Sequence, residues 1–238
     1  MGAPLPGGRP GCEASAAWRV RLGAGRGRAL GRELERLRRE RRVSRSLPLP
    51  AAALLLDVRP ACGHGRAMRT IMLLRHGKSS WSDPTLADLE RPLAARGERA
   101  SRRIAKHLRR KRIRPDLVLC SPSLRTRQTL EAIRPSLGKR CSVELVAQLY
   151  AASEEELLER IRTVPESAAS VLLIGHNPGL QKLALVLASR GADLAKLEQK
   201  FPTGALATLI VGSDSWASLE PGAAELADYV LPKQLGRG

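Results

Sequence analysis

Aromatic residues are almost missing from this chain: three Trp, two Tyr and one Phe make up 3% of its 238 residues. With Trp81, Trp216, Tyr150, Tyr229 and Phe201 as nearly the whole supply, there is no row of stacking platforms for single-stranded nucleic acid. Cysteine is equally sparse. Cys12, Cys62, Cys120 and Cys141 show neither a CxxC pair nor metal-ligand spacing, which excludes a thiolate metal centre and a disulfide framework. Buried reduced thiols are expected instead, Cys120 closing the apolar run "DLVLC", and such thiols suit a reducing, cytoplasmic setting. The apolar run "LPLPAAALLLDV" is far shorter than the roughly 20 residues that cross a bilayer, so no membrane association is expected.

Lysine is absent from residues 1–67, which hold fourteen Arg and only five acids among abundant Ala, Gly and Pro. The periodic piece there is "GRELERLRRERR", where Leu34 and Leu37 share a helix face otherwise covered in charge. Such a segment buries little. It reads as a disordered basic extension, or as residues ahead of a start at Met68, with an organelle-targeting segment as the competing reading. Arg richness fits targeting, while Glu33, Glu35 and Glu40 do not.

From Met68 onward short apolar runs ("TIMLL", "DLVLC", "SVELV", "SVLLIG", "LATLIV") alternate with longer amphipathic segments. In "ARGERASRRIAKHLRRK" the residues Ala100, Ile104 and Leu108 recur every four, predicting one inward stripe. The segment "SEEELLERI" predicts a helix begun by Glu154, Glu155 and Glu156, and "NPGLQKLALVLASR" a helix reaching Arg190. Alternation of this kind implies a three-layer α/β/α domain over residues 68–238 with a mostly parallel central sheet, whose sites form at the carboxyl ends of the strands.

Three strand ends carry polar residues of related chemistry. "TIMLL" leads into Arg75, His76 and Gly77, the glycine allowing a turn or a close ligand. "DLVLC" leads into Ser121, read as a helix N-cap before Pro122, and then into Arg125. "SVLLIG" leads into His176 and Asn177. A lone histidine at a strand end is ordinarily structural, and an arginine on a helix is ordinarily a solvated charge. Convergence at one rim of the sheet is what singles these residues out. Two guanidiniums hold a phosphoryl group by paired hydrogen bonds and spread positive charge over its oxygens. A neutral imidazole is a nucleophile toward phosphorus, and a second one can donate to the same group. This chemistry asks for no metal and no cofactor.

"LLRHGKSSW", "SPSLRTRQT" and "LIGHNPGL" resemble the three motifs of the histidine phosphatase superfamily, and the surrounding sequence resembles its small SixA-type branch, the phosphohistidine phosphatases. The likeness runs from about Met68 to about Leu235 and includes "RPLAARG", the "LY" at Leu149 and Tyr150, "KFPTGALA" and "VLPK". It implies a compact domain without a large cap insertion. It also implies that His76 is the nucleophile, that Arg75 and Arg125 clamp the phosphoryl oxygens, and that His176 completes the pocket, with Gly77, Ser121 and Asn177 shaping it. Larger relatives have an acidic proton donor in an insertion; here the candidate is Asp83, in the loop after the first strand. The implied substrate is a phosphorylated protein, such as a histidine phosphotransfer domain, or a small phosphate ester. A competing class is a basic nucleic-acid-binding protein using the Arg-rich extension with Arg102, Arg103, Lys106, Arg109, Arg110, Lys111 and Arg112. Charge alone gives binding without sequence specificity and does not account for three convergent motifs.

Overall fold

Why the first strand is apolar on both sides is plain from its position. In the computed structural model, which describes residues 68–236, strand β1 spans Met68–Arg75. Successive side chains of a strand point to opposite faces. Ile71 and Leu73 enter one hydrophobic core, Met72 and Leu74 the other, and all four are buried. The basic extension expected over residues 1–67 lies outside the described residues, as do Cys12 and Cys62.

The remaining elements are α1 (Ala95–Arg110), β2 (Leu117–Cys120), α2 (Leu124–Ile133), β3 (Ser142–Leu145) and α3 (Glu154–Arg162). They continue as β4 (Ser170–Gly175), α4 (Gly179–Leu187), β5 (Ala188–Arg190), α5 (Leu194–Gln199), β6 (Leu206–Gly212) and β7 (Ala224–Val230). The sheet runs β3-β2-β4-β1-β6-β7-β5. All neighbouring pairs are parallel except those made by β6, which is antiparallel to β1 and to β7. Helices α1 and α2 cover one face with Ile104, Leu108, Leu130 and Ile133. Helices α3 and α4 cover the other with Leu157, Leu158, Leu183 and Leu187. The three-layer α/β/α arrangement with a mostly parallel sheet is therefore as expected, and no described helix is long and apolar enough to cross a membrane.

Structure and sequence reading differ at the end of the sheet beyond β6. The helix expected to reach Arg190 stops at Leu187, and the next three residues form β5. Strand β7, "AELADYV", lacks a clean alternation because its register against β6 shifts at Thr208 and Leu209. Ala227 and Asp228 are consecutively exposed, and Tyr229 and Val230 consecutively buried. Such an irregularity hides a strand from a period-two pattern. The inward stripe of α1 is Gly97, Ser101, Ile104, His107 and Leu108, with Ala100 only half-buried. Arg102, Arg109, Arg110, Lys111 and Arg112 are exposed, as a solvated face requires.

Two glycines bring the loop after β1 against α1. A Cβ on Gly97 would stand 2.2 Å from the Lys78 carbonyl oxygen, and one on Gly77 would stand 2.7 Å from the Gly97 carbonyl oxygen. Both obstacles are backbone. Gly97→Ala is expected to destabilise the domain by about 1–3 kcal/mol through overpacking, measured as a fall in the denaturant midpoint. A midpoint equal to that of the parent would show that the two segments can part without cost.

Candidate active site

Strands β2, β4 and β1 are adjacent and parallel, so their carboxyl ends lie side by side at one edge of the sheet. Arg75 and His76 leave β1 there, Ser121 and Arg125 follow β2, and His176 and Asn177 follow β4. The His76 and His176 rings lie 5.1 Å apart between centroids, tilted by 55°. Tyr150 stands edge-on to His176 at 5.5 Å. The four residues singled out from the motifs are thus brought together.

His76 is 8% exposed, and its Nδ1 lies 2.6 Å from the carbonyl oxygen of Gly77. A carbonyl can only accept, so Nδ1 carries the proton and Nε2 holds the free lone pair. Burial pushes the His76 pKa down to about 4, with Arg125 and Arg75 acting in the same direction and the Gly77 carbonyl opposing. Burial also takes His176 to about 3, reinforced by His76 and Arg125. Both imidazoles are therefore neutral at neutral pH. The backbone holding His76 is itself well fixed: Gly77 N–H donates to Thr129 Oγ1 at 3.1 Å, and Gly204 N–H donates to the carbonyls of Arg75 and His76.

Two guanidiniums flank this imidazole and are held differently. Arg75 Nη1 donates to the Phe201 carbonyl at 2.7 Å, while its Nε–H is buried with no protein partner. Burial lowers the Arg75 pKa below its ordinary value. Arg125 projects from the first turn of α2 and is 7% exposed. Its Nη1 donates to the Asp88 carbonyl and its Nη2 to Asp88 Oδ2 at 2.7 Å. The same Nη2 lies 3.4 Å from His176 Nδ1, which must accept because a guanidinium only donates. His176 Nε2–H then donates to Ser121 Oγ at 2.8 Å.

Asp88 was not singled out from the sequence and Tyr150 was given no role in the site, yet both reach it. Tyr150 donates its hydroxyl to Asp88 Oδ2 at 2.7 Å, and Arg91 Nη1 stands 3.3 Å from Asp88 Oδ1. Arg91 in turn lies over the face of exposed Trp81, its guanidinium carbon 3.0 Å from the ring centroid. The Tyr150 hydrogen bond, then Arg125, holds the Asp88 carboxyl below the usual carboxylate range against opposing desolvation.

Other expected site residues occupy distinct roles. Asp83 is exposed, its carboxylate accepting from the N–H and hydroxyl of Thr85, so the acid that touches the cationic cluster is Asp88. Ser121 does not cap α2; the N-cap is Ser123, and Ser121 is fully buried beneath His176. Asn177 Nδ2 donates to Gln181 Oε1 and to the Phe201 carbonyl that also receives Arg75, tying two strand ends to one segment. Glu154, Glu155 and Glu156 begin α3, where Ser153 and Glu156 form a reciprocal capping box. Among the described residues no group of three or more His, Cys, Asp or Glu is placed to hold a metal ion.

A cluster of two neutral imidazoles and two guanidiniums at the sheet edge has the chemistry to hold a tetrahedral oxyanion. Comparison with known proteins agrees. The histidine phosphatase superfamily (branch 1) matches residues 71–153. A protein of Mycobacterium tuberculosis with no described activity is 37% identical over 164 residues, 67% of this chain and the whole of that protein. A solved structure from Nakamurella multipartitia, provisionally assigned as the phosphohistidine phosphatase SixA, is 30% identical with a TM-score of 0.60, covering 69% of this chain and 96% of that one. The protein histidine phosphatase SixA in complex with tungstate is 26% identical with a TM-score of 0.59, covering 70% and 99%. With three motifs on three adjacent strand ends and these likenesses along the whole described domain, the chain belongs to the histidine phosphatase superfamily, in its SixA-like branch.

Proposed function

We propose that the protein is a metal-independent phosphatase that passes the phosphoryl group through His76, and that its substrate is a phosphorylated histidine on another protein. The observation that carries the reading is the state of His76. Its Nδ1–H donates to the Gly77 carbonyl, its ring is neutral with the lone pair on Nε2, and it sits in the field of the Arg75 and Arg125 guanidiniums. In the first step Nε2 attacks phosphorus, the bond from phosphorus to the leaving atom breaks, and that bonding pair departs with the leaving group. Arg75 and Arg125 bind the non-bridging oxygens, whose charge rises during transfer. Water then attacks the phosphorylated His76. The Nε2–P pair returns to the ring, and the water protons leave with inorganic phosphate and solvent. His176, accepting from Arg125 and donating to Ser121, links the guanidinium to the end of β2.

The choice of phosphohistidine is supported by the SixA-type proteins that this chain resembles along their length, one of which binds tungstate, a phosphate-like oxyanion. The test compares the full-length protein on a phosphohistidine-bearing protein and on p-nitrophenyl phosphate, with EDTA present. Faster release from the protein substrate, with an acid-labile, alkali-stable label trapped on the enzyme, is expected. Release from the aryl ester alone would assign the site to small phosphate esters, and release from neither would end the reading.

The pH dependence has a definite sign. His76 must be neutral to attack, and its pKa in the free protein is about 4. The acid limb of kcat/KM for an aryl phosphate is therefore expected near pH 4, where an ordinary histidine would place it near 6.5. A limb at 6 or above would show an imidazole open to water. Stability follows the same groups. Unfolded His76 and His176 take up protons near 6.5 while the folded ones resist until about 4 and 3, so stability is expected to fall as pH drops from about 6.5 toward 4.

A further inference from the structure

Arg125 turns two of its N–H donors toward Asp88. Nη1 serves its carbonyl and Nη2 its carboxylate. A phosphoryl group bound by the remaining donors of Arg125 stands beside that carboxylate, which Tyr150 and Arg91 hold from other directions. In-line displacement puts the leaving atom opposite the attacking nitrogen, and because His76 is only 8% exposed the leaving group departs on the solvent side. The Asp88 side chain is 52% exposed and the Arg125 side chain 8%, so the carboxylate stands nearer solvent than the guanidinium it binds.

We propose that Asp88 is a specificity-determining residue: on the solvent side of the site its carboxylate accepts a hydrogen bond from a leaving group that carries an N–H and disfavours a leaving oxygen, so the enzyme selects phosphoramidates over phosphate esters. The inference rests on His76 as the nucleophile. An N-phosphorylated imidazole with its other nitrogen protonated presents such a donor. When His76 Nε2 bonds to phosphorus, the P–N pair returns to the leaving ring, which departs as neutral imidazole with its N–H already in place. The enzyme supplies no proton. A carboxylate facing that N–H favours the protonated, labile form of the substrate. An ester is treated in the opposite way. Its bridging oxygen gathers negative charge beside a carboxylate that Tyr150 and Arg125 keep ionised, and it receives no proton from it.

The experiment measures kcat/KM of the full-length protein on N-phosphoimidazole and on phenyl phosphate, with Asp88→Asn beside the parent. Asn keeps a carbonyl for Arg125 and removes the charge. The variant is expected to lose about tenfold or more on N-phosphoimidazole, the loss typical of a hydrogen bond to a charged partner, and to gain on phenyl phosphate. Opposite signs on the two substrates are the signature. A parallel fall on both would make Asp88 a general acid or a structural brace, and an unchanged ratio would show no contact with the leaving group; either result overturns the proposal. Tyr150→Phe is the second variant, since it leaves the carboxylate and removes its tether. As a positioning residue Tyr150 should shift the ratio in the same direction by less, and a ratio equal to the parent's would count against the inference. A parent protein inactive on both substrates would overturn the assignment of His76 itself, a failure distinct from an active parent whose Asp88 variant keeps the same ratio.

Discussion

Replacing His76 by alanine is expected to reduce turnover on the order of 10^5-fold or more, because a covalent route loses its only attacking atom. Among the described residues the ring Nε2 has no substitute nearby. His176 is the next imidazole, 5.1 Å away between centroids, and both of its nitrogens are engaged, one by Ser121 and one by Arg125. The variant should fold, since the backbone around residue 76 is held by Gly204, Thr129 and Gly175 rather than by the imidazole alone. The measurement is steady-state hydrolysis of a phosphohistidine protein, paired with mass spectrometry of an alkali-quenched reaction. Parent protein should carry one phosphoryl group on His76, and the variant none. Hydrolysis at the parent rate by His76→Ala would remove the residue as nucleophile.

Arg125→Ala should cost on the order of 10^2–10^3-fold in kcat, the penalty typical of removing one donor from a preorganised oxyanion site. Arg125→Lys should not restore it. A lysine offers a point charge, whereas the guanidinium here serves Asp88 through two separate nitrogens and His176 through one of them. Removing it also frees Asp88 and His176 from their shared partner, so the loss should exceed that from Asp88→Asn. Competitive inhibition by tungstate gives a second readout. Inhibition undiminished in Arg125→Ala would show that the guanidinium does not bind the oxyanion.

The convergence of four candidate-site residues was legible because each sits within a few positions of the end of an apolar strand. Arg75, His76 and His176 follow immediately on β1 and β4, and Arg125 lies in the first turn after β2. Adjacency in sequence to a buried strand is nearly adjacency in space, since parallel strands align their carboxyl ends. Ser121 was legible as a residue of the pocket but not in its role, because the helix starts two residues later than the Ser-Pro pair suggests. Asp88 was not legible. It lies in a short turn between β1 and α1, 37 residues from Arg125 and 62 from Tyr150, and its direction depends on Arg91 bracing against Trp81. Asp83, five residues earlier, looks equivalent in sequence, yet its carboxylate folds back onto Thr85.

Hydrophobic patterning and strand-end chemistry thus determined the layer order, the mostly parallel sheet and the presence of two imidazoles and two guanidiniums at one rim. These depend on local periodicity and on a sheet rule that holds wherever the carboxyl ends of parallel strands gather. The tertiary structure alone decided the tautomer of His76, the burial that keeps both imidazoles neutral, the irregular β6–β7 pairing, and which of two similar aspartates touches the site. Each of these is set by groups far apart in the chain meeting within hydrogen-bonding distance. A loop residue's partners follow from the packing around it, not from its neighbours in sequence.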